Sequence, residues 1–163
     1  SARLVSRRQI AHLTEEYVLA HDEPELQFRP GQFISVHVGQ DDDGNPILRS
    51  YSLASPPSRR GELVLILRLI EGGPGTRFFE ALRPAQGRDS ELRFTGPMGF
   101  FVNELEHPGD VIYAGTGTGI APFFPMLDET VKFNRLLIDF LALDSGTSPR
   151  ELQMKDEWRR RVR

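Results

Sequence analysis

The sequence predicts an antiparallel β barrel followed by an incomplete α/β lobe, and three observations predict it. First, six short runs of strand-forming residues fill the first hundred positions, separated by turn signals at regular spacing. That pattern belongs to a closed or nearly closed barrel. Second, the composition shifts near Pro108 to an alternation of apolar strand and helix, the grammar of a parallel, doubly wound sheet. Third, Gly115-Thr116-Gly117-Thr118-Gly119 sits where the first strand of that second part meets its first helix. The expected units are residues 1–107 and 108–163.

In chain order, Leu4 to His12 and Thr14 to His21 read as a hairpin. Arg29-Pro30-Gly31-Gln32 is a turn before the alternating run Phe33 to Val38, apolar and polar by turns as a half-buried strand requires. Asp41 to Pro46 is a polar hairpin tip, and its acids are most simply solvated. Ile47 to Ala54 forms the next strand and stops at Pro56-Pro57. Glu62 to Ile70 reads as the most apolar strand in the chain, followed by a glycine-rich turn, a short helix from Arg77 to Arg83 and a strand from Ser90 to Thr95. Beyond Pro108 the expected elements are a strand at Asp110–Ala114, a helix from Ala121 to about Lys132, a strand at Leu136–Leu143 and a helix from about Pro149 to Arg163. The basic end Arg159-Arg160-Arg161 suits the C-terminal end of a helix dipole.

With 163 residues, 39% hydrophobic and 26% charged, the chain has the balance of a soluble globular protein. A net charge of −3 gives no footprint for nucleic acid or an anionic membrane surface. The absence of cysteine excludes disulfides, thiolate iron–sulfur ligation and a cysteine nucleophile. No run approaches the roughly 20 apolar residues of a membrane span, and the opening residues lack a secretory pattern. The cytoplasm is the expected location. His12, His21, His37 and His107 lack metal-ligand spacing, and no metal is expected. Asp110 and Asp128 read as a strand end and a helix surface.

Three stretches carry chemistry. In Arg49-Ser50-Tyr51-Ser52 the arginine and the aromatic are two apart on a strand, so they share a face. A planar cation beside a flat ring, with hydroxyl neighbours, suits a flat ring system with a phosphate tail; Tyr51 also fits an ordinary half-buried strand tyrosine. Gly72-Gly73-Pro74-Gly75-Thr76 precedes the short helix. Thr76 is the expected N-cap, leaving the first helical N–H groups free for an anion such as a pyrophosphate. The alternative is a plain glycine turn. In the third stretch, Gly115 to Gly119, the spacing is GxGxG rather than GxGxxG, and Pro122 stands near the helix start, where proline is tolerated. Strand before and helix after match a dinucleotide pyrophosphate site.

Taken together, the ordered motifs Phe28-Arg29-Pro30-Gly31-Gln32-Phe33, RSYS, the Gly75-Thr76 helix start, Gly96-Pro97-Met98-Gly99 and Gly115 to Pro122 resemble the ferredoxin–NADP reductase superfamily. The flavoprotein reductases of bacterial oxygenases are similar. The resemblance covers about residues 4 to 132. It implies a six-stranded Greek-key barrel that binds FAD (FMN less so), followed by a partial Rossmann-like βαβα lobe for NADPH or NADH. By the same resemblance Arg49 holds the flavin pyrophosphate, Tyr51 stacks on the isoalloxazine, and Ser50 and Ser52 flank it. Ser52 lies near N5, where hydride arrives, and it and Tyr51 are the implied catalytic pair. Ile66, Leu67 and Arg68 line the ribose and adenine side, Pro74, Gly75 and Thr76 bind pyrophosphate, and Gly115, Thr116, Gly117, Thr118 and Gly119 face the nicotinamide nucleotide.

The function so implied is electron transfer from NAD(P)H through FAD to a one-electron carrier, namely ferredoxin, flavodoxin or an oxygenase component. The alternative is a flavin-binding module without nicotinamide turnover of its own. Residues 133–163 match the family poorly, and two strands with two helices do not close a core, so the second lobe is expected to be incomplete. Asp144 leans weakly toward NADH. An open sheet invites pairing, and a dimer is compatible with it.

Overall fold

The computed structural model describes residues 1–23, 26–84, 90–103 and 113–130. These form β1 (Ala2–Ala11), β2 (Thr14–Ala20), β3 (Phe33–Gln40), β4 (Pro46–Ser52), β5 (Glu62–Arg68), α1 (Pro74–Ala81), β6 (Glu91–Leu92), β7 (Phe94–Met98), a 3-10 turn (Gly117–Ile120) and α2 (Phe123–Thr130). One sheet runs β5-β2-β1-β6 and the other β4-β3-β7, with every pairing antiparallel.

The sheets join at two seams. On one side Leu53 bridges Leu65, and the Ala54 N–H donates to the Val64 carbonyl at 2.8 Å. On the other, the predicted single strand Ser90–Thr95 is interrupted at Arg93. β6 pairs with β1 before the break and β7 with β3 after it. The His37 N–H reaches the Arg93 carbonyl at 3.0 Å across the corner. One strand thus serves two neighbours by turning between sheets, as strands at sandwich corners do. Counting β6 and β7 as one broken strand, the circuit is β1-β2-β5-β4-β3-β7/β6. β3, β4 and β5 are consecutive neighbours, and the sixth strand returns beside β3, which is a Greek key.

Strand alternation fills the barrel. Leu4, Tyr17, Leu19, Ile34, Val36, Leu53, Leu63, Leu65, Leu67 and Phe79 are buried in one cluster. The apolar character of β5 on both faces has a local cause. Val64 and Ile66 point away from that cluster and pack with Val18, Ala54 and Ala121. The outer face of β5 is therefore covered by the segment carrying the glycine turn, and a strand covered on both sides reads as continuously hydrophobic.

That segment is also locked to the turn before β3. Gly31 has φ 97°, and a β-carbon there would collide with the Phe101 carbonyl and the Met126 side chain. Tyr113, Phe123 and Met126 form a further cluster, and the Asn103 amide donates to the Tyr113 hydroxyl. Tyr113 and Ala114, predicted as strand, are not strand. α2 begins at Phe123, after the 3-10 turn, rather than at Ala121. The predicted elements at 136–143 and 149–163, with Asp144 and the Arg159–Arg161 run, lie outside the described residues.

Candidate functional site

The site begins with the register of β4. Arg49 lies opposite Val36 and Tyr51 opposite Ile34, and both partners are fully buried. Directly paired residues share a face, so Arg49 and Tyr51 both rise from the inner side of the barrel wall, as alternation predicts. Ser50 and Ser52 take the other face. Ser50 pairs with Ser35, hydroxyl to hydroxyl at 3.0 Å, and Ser52 stands opposite Phe33. The four residues therefore present two surfaces.

Arg49 is exposed, and its guanidinium donates to the Leu48 carbonyl at 2.8 Å. Its remaining N–H donors stay available for a phosphate. Tyr51 is half-buried. Burial pushes its phenol pKa up, with the Arg49 charge pulling the other way. The ring is neutral at physiological pH.

α1 closes the same mouth of the barrel. It starts at Pro74 with Gly73 as N-cap, earlier than the predicted Arg77. Proline has its φ pre-set for the first helical position and no N–H to leave unpaired there. Thr76 is consequently inside the helix and is not the cap. Its hydroxyl instead accepts the Ile70 N–H at 2.8 Å, and Arg77 donates to the Gly72 carbonyl at 2.7 Å. Both bonds brace the glycine-rich turn. At Gly75, a β-carbon would stand 2.5 Å from the Tyr51 hydroxyl and 3.7 Å from the Arg49 Cγ. Two motifs distant in sequence meet here. An exposed arginine with donors to spare, an aromatic ring and the first N–H groups of a helix converge on one rim.

The other predicted residues divide. Leu67 is in the barrel core and offers no side chain to a ligand. Ile66 is packed in the outer cluster with Ala121. Only Arg68, at the exposed end of β5, keeps a free side chain. Strand alternation separates Leu67 from its neighbours, and docking of the second segment covers Ile66. In the glycine turn, Gly115 is a packing residue, since a β-carbon would lie 2.8 Å from the Phe123 ring. Gly117 (φ 53°) and Gly119 face open space, so they suit close approach of a ligand to the backbone. Thr116 is exposed and makes no side-chain cap; Thr118 is partly exposed. Ala54, two residues past Ser52, and Ala121, two past Gly119, share one cluster. That contact brings the barrel rim and the glycine turn to neighbouring ground.

Phe79, which none of the sequence motifs marks, lies one helical turn after Gly75 and meets the Tyr51 ring at 5.2 Å. The spacing of four was the available signal. A cavity of about 460 Å³ lined by His37, Gln40, Pro46, Phe78, Leu92 and Arg93, among others, contains none of the predicted site residues. Among the described residues no group of three or more His, Cys, Asp or Glu side chains could hold a metal ion. No described helix is long and apolar enough to cross a membrane.

Such a rim is fitted to a flat ring carrying an anionic tail, the shape of a flavin nucleotide. Residues 1–102 match the family model described as "Oxidoreductase FAD-binding domain". The "Ferredoxin--NADP reductase B" of Sorangium cellulosum is 29% identical over 132 residues, covering 80% of this chain and 52% of that protein. The "Glycine betaine monooxygenase reductase subunit" of Pseudomonas aeruginosa is 31% identical over 133 residues, covering 80% of this chain and 34% of that protein. A ferredoxin NADP+ reductase from Neisseria gonorrhoeae, solved with bound FAD and NADP, superposes with a TM-score of 0.67 at 22% identity, covering 96% of this chain and 61% of that one. The chain belongs to the oxidoreductase FAD-binding domain family. It spans between 34% and 52% of the length of these two curated relatives.

Proposed function

We propose that the chain forms the FAD-binding half, and the start of the nicotinamide half, of a reductase that passes electrons from NAD(P)H through FAD to a one-electron carrier. Ferredoxin, flavodoxin or an oxygenase component is the acceptor class, by analogy with the relatives. Residues 1–107 are the flavin unit and 108–163 the beginning of the nucleotide unit. The observation that carries the reading is the convergence of Arg49, Tyr51 and Gly75 on one rim.

When bound, FAD supplies the conversion between two-electron hydride chemistry and single-electron transfer. The chain's own residues supply placement. Arg49 meets the pyrophosphate through charge-assisted hydrogen bonds worth about 1.5–3 kcal/mol. The N–H groups of Gly75 and Thr76 add to that anion site. Tyr51 gives a stacking face worth about 0.5–1.5 kcal/mol beyond area burial. Ser52 offers a hydroxyl at the end of the strand on which Tyr51 lies. Gly117 and Gly119, with Thr116 and Thr118, supply an open backbone for the nicotinamide nucleotide. The same reading places the protein in the cytoplasm with its carrier and admits a dimer, which size-exclusion chromatography would read.

The test is an anaerobic titration of the FAD-loaded chain with NADH and then NADPH, following the flavin absorption band. Bleaching by either nucleotide supports the reductase and names its donor. A yellow protein bleached by dithionite alone would replace it with a flavin-binding module. A chain that retains no FAD would overturn both.

A further inference from the structure

We propose that Phe79 is a positioning residue for Tyr51, setting the angle at which the tyrosine ring meets a bound flavin. The proposal rests on the flavin reading above. Three aromatic contacts hold Phe79 in place. Its ring meets Tyr17 at 4.9 Å and 64°, Phe78 at 5.4 Å and 87°, and Tyr51 at 5.2 Å and 82°. Edge-to-face pairs of this kind favour one relative orientation.

Phe79 cannot turn freely, because it is fully buried and so is Tyr17 beneath it. Tyr17 is itself tied down, its hydroxyl donating to Glu15 Oε2 at 2.6 Å. Arg7, from the same hairpin, reaches the Glu80 carbonyl at 3.4 Å, one residue beyond Phe79 on α1. The line Tyr17–Phe79–Tyr51 thus runs from the barrel interior to the rim, and its outermost member is the half-buried tyrosine.

Tyr51 meets α1 twice. Phe79 presses on its ring, and Gly75, one turn earlier on the same helix face, lies against its hydroxyl. A ring bounded at both places has few orientations to lose when a ligand stacks on it. That lowers the ordering cost of binding. Phe79 touches no ligand in this scheme and acts only through Tyr51.

A double-mutant cycle, read by FAD affinity and by the emission of bound FAD, tests this. The variants are Tyr51→Leu, Phe79→Leu and the pair, each checked for folding by thermal melt, with Phe79→Met used if Phe79→Leu does not fold. Phe79→Leu is expected to weaken FAD binding about tenfold when Tyr51 is present and less than about twofold when it is leucine. Emission of bound FAD should rise in Phe79→Leu, because a flat-stacked tyrosine quenches a flavin and a tilted one does so poorly. Equal losses in both backgrounds, with unchanged emission, would make Phe79 a core residue and no more. Failure of the unmutated chain to bind FAD would instead overturn the flavin reading, and this proposal with it.

Discussion

The Tyr51 hydroxyl occupies the space beside Gly75, 2.5 Å from where a β-carbon would stand. The glycine is thus required by a side chain of β4 rather than by its own backbone. Gly75→Ala should separate binding from stability. Alanine's helical advantage over glycine, about 0.8–1 kcal/mol in a helix interior, is offset by the collision with the Tyr51 hydroxyl, so the melting temperature should change little. The displaced Tyr51 should weaken FAD binding about tenfold, a loss of about 1.4 kcal/mol. Fluorescence titration beside a thermal melt checks both, and unchanged affinity would return Gly75 to an ordinary turn residue.

Arg49→Ala removes the exposed guanidinium at the rim. FAD affinity should fall by one to two decades, from a charge-assisted contact of about 1.5–3 kcal/mol. Riboflavin, which has no phosphate, should bind the variant as it binds the native chain. Equal losses for both ligands would show that Arg49 does not read the pyrophosphate.

Gly31 lies in the turn that holds α2 against the barrel, with φ 97° and no room for a β-carbon. Gly31→Ala should lower stability by about 1–3 kcal/mol through backbone strain, with the collision adding to it. Chemical denaturation reads this directly. A shift below about 0.5 kcal/mol would mean that the turn relaxes at little cost.

Two tyrosines make the fold sensitive to alkali. Burial, followed by the hydrogen bond to Glu15, pushes the Tyr17 phenol well above its ordinary 10.0, and burial raises Tyr51 too. A raised folded-state pKa means that the native state keeps protons the unfolded chain loses. The stabilisation is complete below about pH 10 and declines as pH climbs through the folded values. Thermal melts from pH 8 to 11 should fall at the alkaline end, and Tyr17→Phe should flatten that fall. It should also cost about 0.5–1.5 kcal/mol at neutral pH for the lost hydrogen bond.

Much of the architecture was legible because it follows from near neighbours in the chain. The alternation of β4 puts Arg49 and Tyr51 on one face in any antiparallel sheet. The turn signals at Arg29–Gln32 and Asp41–Asn45 mark the entry to β3 and the β3–β4 hairpin. At the second, Asp41 accepts the N–H groups of Asn45, backbone and side chain, and of Asp43, which holds its carboxyl below the usual range. The glycines at 72–76 and 115–119 announced two close-approach loops.

Local pattern left other points open. Thr76 reads as a cap until Pro74 starts the helix early and Ile70 takes its hydroxyl. Leu67 and Ile66 are both apolar and adjacent, and only the closed barrel with its docked second segment decides which faces the core and which faces Ala121. The break at Arg93 exists because two sheets must be served at once.

Alternation and turn chemistry, acting a few residues apart, made the barrel strands, their faces and the residue types able to hold a flat anionic ligand readable from the chain alone. It took the closed barrel to settle that Gly75 abuts Tyr51, that Phe79 lies beneath it and that Ala121 covers Ile66. Those are contacts between distant segments, and they come into being when the barrel closes and brings its rim, its helix and the glycine turn together.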